Sequence, residues 1–140
     1  MRSAPPQLAS YTATVHVDAD PDRVYEYLRV PDNQPQWATG FVLATRPLGD
    51  GSERYAMQTP FGEMIYRVAT DPGCRTVDFV FETPWGDSIL PARVVPLGKR
   101  SVVTFTIHRT PDMDDAAWEA GKRGMDEELT ILKRLVEARP

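Results

Sequence analysis

Residues 111–140 read PDMDDAAWEAGKRGMDEELTILKRLVEARP, and this stretch decides the fold. After Pro111 no proline recurs before Pro140, acids (Asp112, Asp114, Asp115) open the run, and bases (Lys133, Arg134, Arg139) close it, as the dipole of a helix prefers. Trp118, Gly121, Met125, Leu129, Leu132 and Val136 recur at spacings of three and four, which puts them on one stripe. The reading is one helix of about 26 residues, about 39 Å long, with an apolar face that needs a partner. Upstream, Ser101 to Arg109 alternates Val103, Phe105 and Ile107 against Thr104, Thr106 and His108, the period of a half-buried strand.

Further back the same period repeats between turns. Thr76–Thr83 sets Val77, Phe79 and Phe81 against Asp78 and Glu82, and strands are expected over 41–46, 53–59 and 63–70. The stretch 87–95 is a strand interrupted by Pro91, which suits an edge or a bulge. Turns fall at Gly49-Asp50-Gly51, Pro60-Phe61-Gly62, Asp71-Pro72-Gly73, Pro84-Trp85-Gly86 and Gly98-Lys99. Links this short join antiparallel neighbours, since parallel ones need a crossover. At the start, Tyr11, Ala13, Val15 and Val17 alternate with Thr12, Thr14 and His16. Asp20-Pro21 then caps a short helix to about Arg29, and the proline-bearing 31–40 holds a second, broken helical turn. The expected fold is α+β: a curved antiparallel sheet of about seven strands, two short helices after the first strand, and a long C-terminal helix on the sheet.

At 140 residues the chain buries about two-thirds of its unfolded surface, enough for one core over 10–140, with 1–9 as a loose tail. A net charge of -4 repels a phosphate backbone, so nucleic acid is not an expected partner. No run approaches the roughly 20 apolar residues of a membrane span and none resembles a signal peptide, so no stable membrane insertion and a cytoplasmic location are expected. Two histidines and one cysteine, Cys74, at unrelated spacings make no ligand set, so neither metal nor cofactor is expected.

The order of elements, together with Val15-His16-Val17-Asp18-Ala19-Asp20-Pro21-Asp22-Arg23-Val24-Tyr25, Trp37 after the second short helix, and Glu127-Glu128-Leu129 in the last, resembles the START and birch-pollen-allergen superfamily (SRPBCC). That superfamily includes polyketide cyclases and dehydrases, and the resemblance spans Tyr11 to Glu137. It implies a helix-grip fold with a cavity between sheet and helix that opens near the short helices and loops. It also implies a choice among lipid carriers, aromatase/cyclases, chaperone-ATPase activators and ring-hydroxylating oxygenase domains, without selecting one.

The apolar register names the residues that face such a cavity. Tyr55 and Met57, Met64 and Tyr66, and Phe79 and Phe81 form the wall, with Trp37 and Phe41 near turns and Trp118, Gly121 and Met125 beneath the helix. Gly121 interrupts the stripe at a cost of about 1 kcal/mol relative to alanine, so it is expected to leave space for a ligand or for a ring from the sheet. Tyr66 is the main polar group facing inward, and Arg93 joins it if the Pro91 bulge turns it in; both histidines face out. Three functions follow. The first is binding of a small hydrophobic or aromatic molecule, by a monomer or homodimer. The second is a cyclase or dehydratase using Tyr66 with or without Arg93. The third is a chaperone-ATPase-activator-like interaction module.

Overall fold

The computed structural model describes residues 8–139. Seven strands form one sheet: β1 (Ser10–Val17), β2 (Ala44–Pro47), β3 (Tyr55–Thr59), β4 (Gly62–Asp71), β5 (Thr76–Thr83), β6 (Gly86–Leu97) and β7 (Arg100–His108). Helix α1 (Pro21–Leu28), a 3-10 turn (Pro31–Asn33) and α2 (Gln34–Trp37) follow β1, and α3 (Asp115–Glu137) ends the chain. This is the helix-grip arrangement. Of the expected N-terminal tail, residues 1–7 lie outside the described residues; Ala9 is already tied to the sheet, its carbonyl accepting from the Arg109 N–H at 2.8 Å.

The strand order is β1-β7-β6-β5-β4-β3-β2, antiparallel throughout, so the first strand pairs with the last. Tyr11, Ala13 and Val15 stand opposite Ile107, Phe105 and Val103 on the inner face. Thr12 stands opposite Thr106 on the outer face, their hydroxyls 2.9 Å apart. His16 and His108 are exposed, and the His108 Nδ1 meets the Ser10 hydroxyl at 2.7 Å.

Three features differ from the sequence reading for local reasons. Helix α3 begins at Asp115 because Asp114 is its cap, accepting from the Ala117 N–H at 2.7 Å, so it has 23 residues and a length of about 35 Å. Strand β2 begins only at Ala44, because the N–H groups of Phe41 and Val42 turn back to the Ala38 carbonyl at 3.0 and 2.8 Å. The third difference is at Pro91. No bulge forms there: β6 pairs with β5 without a break from Gly86 to Arg93, while its pairing with β7 starts only at Ala92. The proline, lacking an N–H, sits where the second ladder begins.

Helix α3 is bolted along one flank to β1. Tyr11 donates its hydroxyl to Asp126 at 2.8 Å, Lys133 donates to the His16 carbonyl at 2.7 Å, and Glu137 accepts the Asp18 N–H at 2.7 Å. The core beneath it joins Val77, Phe79, Val94, Val103 and Phe105 of the sheet to Val24 and Leu28 of α1 and to Leu129, Leu132 and Val136 of α3. Each such side chain contributes about 1.5–3 kcal/mol by leaving water. The two ends of the sheet are distinct. One end, here the rim, carries the turns at Pro60-Phe61 and Pro84-Trp85 and the link from β7 to α3; the other carries α1 and the β4–β5 and β6–β7 turns.

A Cβ added at Gly124 in α3 would meet nothing within 4 Å. Gly124→Ala is therefore expected to raise stability by about 1 kcal/mol through helix propensity alone, read as a higher urea midpoint at unchanged slope. A lowered midpoint would contradict this packing.

Candidate ligand-binding site

Tyr66 stands at the centre of the inner face because the β4 register places it opposite Tyr55 on β3 and Phe81 on β5. Its ring stacks on Phe81, with centroids 5.5 Å apart and planes 19° apart, and lies 6.0 Å from Tyr55. Fully buried, it donates its hydroxyl to the Gln34 side-chain carbonyl on α2. Burial, with smaller contributions from Tyr55 and Asp32, pushes the phenol well above its ordinary range, so it stays protonated as a donor.

Next to Gln34 on the same short helix, the indole of Trp37 packs on Phe105 at 5.4 Å and Phe79 at 6.1 Å. Its Nε1–H is buried and has no hydrogen-bond partner among the described residues. Glu128 is the other polar group in this region. It lies on the flank of α3 opposite the one that Asp126, Lys133 and Glu137 turn to β1, and α2 packs against α3. Burial, reinforced by Glu127, pushes its carboxyl up to about 8, so it is mainly neutral at pH 7. The sequence reading missed Gln34 and Glu128. Gln34 lies in a proline-rich connection, and Glu128 entered only within the Glu127-Glu128-Leu129 run that carries the family resemblance, although it lies three residues from Met125 and four from Leu132 on the helix.

The inner face is not evenly covered. Helix α3 leans on β1 and β7, and the inward side chains nearer the rim (Phe41, Met64, Phe81, Leu90, Ile107 and Met125) are only half-buried. Tyr55 is half-buried too, whereas Met57, Phe79, Trp37 and Trp118 are closed in. At Gly121 an added Cβ would lie 3.6 Å from the Ile107 Cδ1, so the sheet's own side chain occupies the space expected there. Two depressions, of about 390 Å³ along Asp126, Thr130 and Arg134 and about 260 Å³ between Arg23, Tyr27 and Arg139, lie outside the grip.

Arg93 does not join Tyr66. Without a bulge the alternation of β6 carries it to the outer face, where it donates to Asp78 at 2.8 Å. Cys74 is exposed, and no cluster of metal-ligating side chains occurs among the described residues.

Residues 9–137 match the family model described as polyketide cyclase / dehydrase and lipid transport. The chain belongs to this family. None of the curated protein sequences matches it. Among solved structures, the family fold is shared with the Zhui aromatase/cyclase from Streptomyces sp. R1128, at 20% identity and a TM-score of 0.77 over 95% of this chain and 96% of that one. It is shared with a START superfamily protein from Mycobacterium smegmatis, at 17% identity and a TM-score of 0.64 over 93% and 95% of the two chains. The Aha1 dimer from Colwellia psychrerythraea is also similar, at 16% identity and a TM-score of 0.67 over 93% and 97%. These likenesses establish the family's fold and leave the ligand and any reaction open.

Tyr66→Phe is expected to cost about 1–3 kcal/mol in urea unfolding, because it strands the buried Gln34 carbonyl. Glu128 makes stability depend on pH. Its folded value, about 8, lies above the ordinary 4.5, so between these the folded protein holds the proton more tightly and stability falls as pH rises. Glu128→Gln is therefore expected to lose less stability than the native protein between about pH 5 and about pH 9. Parallel losses in the two would contradict the burial of that carboxyl.

Proposed function

We propose that the protein binds a small hydrophobic or aromatic molecule between the inner face of the sheet and α3, entering from the rim. The observation that carries this reading is the uneven cover of the inner face. Met64, Phe81 and Leu90 form an apolar wall that α3 leaves half-open, although closing it over them would remove more apolar surface from water. Behind that wall stand Tyr66 with Gln34 and the Trp37 N–H, which has no partner among the described residues, a small set of polar groups of the kind that orients a ligand in an otherwise apolar site. Phe41, Tyr55 and Met125 flank the entrance, while Met57, Phe79, Trp118 and Gly121 support it from within.

A catalytic version of this reading, in which Tyr66 polarises a carbonyl as in a cyclase or dehydratase, has less behind it. Its phenol is committed to Gln34, and Arg93 lies on the other face of the sheet. The binding reading asks only for a shaped apolar surface. In solution it requires a site that one molecule fills, whether the chain is a monomer or a homodimer.

Titration with the neutral dye Nile red tests it. The native protein is expected to bind one molecule saturably, with enhanced emission. Leu90→Trp, which fills the half-open wall, is expected to abolish binding, whereas Val95→Ser on the outer face leaves it unchanged. A folded native protein that does not saturate, or a Leu90→Trp variant that binds normally, overturns the reading.

A further inference from the structure

Two turns at the rim are built alike. Thr59-Pro60-Phe61-Gly62 and Thr83-Pro84-Trp85-Gly86 join β3 to β4 and β5 to β6, with the threonine paired to the glycine in each. In the first, the Thr59 hydroxyl donates to the Gly62 carbonyl at 2.8 Å and accepts the Phe61 N–H at 3.1 Å. In the second, the Thr83 hydroxyl donates to the Gly86 carbonyl at 2.6 Å and accepts the Trp85 N–H at 3.2 Å. Both glycines hold a positive φ, 116° and 108°, which a side chain would resist. The result is the same in both places: a braced turn with an aromatic ring held in water, Phe61 90% exposed and Trp85 58% exposed.

We propose that Phe61 and Trp85 are a pair of prongs with which the rim docks reversibly on a neutral phospholipid surface. This inference is independent of what the grip binds. The two hairpins are adjacent, so their tips lie about 10 Å apart, two strand spacings. Exposed Leu43 sits beside the first tip, its N–H donating to the Gln58 carbonyl at 2.8 Å. Exposed Leu8 precedes β1 at the same end. The turns at the opposite end carry no exposed aromatic ring among the described residues: they present Asp50 and Arg54, Asp71 and Arg75, and Lys99 and Arg100, beside exposed Leu97. The two exposed aromatic rings therefore both lie at the rim.

Charge and shape choose the occupant. At the rim Arg46 pairs with Glu63, Arg67 with Asp87 and Arg109 with Asp115, and Asp112 adds a further acid. Among the described residues these pairs leave no cationic excess there to attract anionic headgroups, and the chain as a whole carries -4. What remains is apolar insertion. Two separate tips need no complementary contour in the fluid boundary of a bilayer, and a tryptophan suits that boundary because its ring is apolar and its N–H is polar.

The tryptophans make the test direct. Trp37 and Trp118 are 3% and 6% exposed, so quenching of the exposed Trp85 is separable from theirs. Phosphatidylcholine vesicles carrying bromine on their acyl chains are expected to quench and blue-shift the Trp85 emission, and the protein is expected to sediment with them. Phe61→Ser is expected to weaken this partition about tenfold, with thermal unfolding unchanged. Exchanging part of the phosphatidylcholine for phosphatidylserine is expected not to strengthen it. Trp85 left unquenched with the protein in the supernatant overturns the proposal. Binding that requires phosphatidylserine and disappears with salt overturns it too, because charge and not the aromatic pair would then be the cause.

Discussion

The pairing of β1 with β7 is the constraint on which the rest of the molecule depends. It joins the first strand to the last and so places the chain leaving β7 where α3 can run back across the inner face. The inner pairs of that ladder, Ala13 with Phe105 and Val15 with Val103, give the helix its floor. Tyr11, Lys133 and Glu137 then hold one flank of the helix to β1. Because α3 is held on that side, it cannot also cover β4, β5 and β6 near the rim. A half-open apolar wall follows from where the sheet closes.

Buried polar groups give this interior its chemical character. The phenol of Tyr66 and the amide of Gln34 satisfy each other, which fixes α2 across the sheet. The Trp37 N–H has no such partner among the described residues, and a buried donor left so costs about 1–3 kcal/mol. Glu128 answers the same pressure differently, by keeping its proton at neutral pH. These groups are concentrated where α2 meets the sheet and α3. The outer face, with Arg93 on Asp78 and the threonine pair Thr12 and Thr106, is ordinary half-wet sheet.

Periodicity and caps made most of the fold legible. The β5 limits were readable because Val77, Phe79 and Phe81 alternate with Asp78 and Glu82 between two turn signals, with Val80 the one break in the pattern, and the start of α1 because Asp20-Pro21 is both cap and first-turn proline. Arg93 was ambiguous because a proline in a strand signals either a bulge or the margin of a ladder, and only the partner strands distinguish the two. The candidate site was less legible. Register identified Tyr66, Phe81 and Met64, yet Gln34 and Glu128 are polar residues buried by their surroundings, a fact that no local pattern encodes. Gly121 was singled out for its helix cost, and its compensation is the Ile107 side chain across the interface.

The central claim is that the rim half of the inner face receives an apolar molecule. Methionine methyl groups sample the alternatives well: Met64 and Met125 are half-buried at the proposed site, Met57 is closed in, and Met113 lies on the link to α3. In a spectrum of ¹³C-methyl-labelled methionine recorded while a neutral polycyclic aromatic compound is added, the account predicts large ring-current shifts at Met64 and Met125, with Met113 little changed. Saturable binding that leaves Met64 and Met125 unmoved would contradict it.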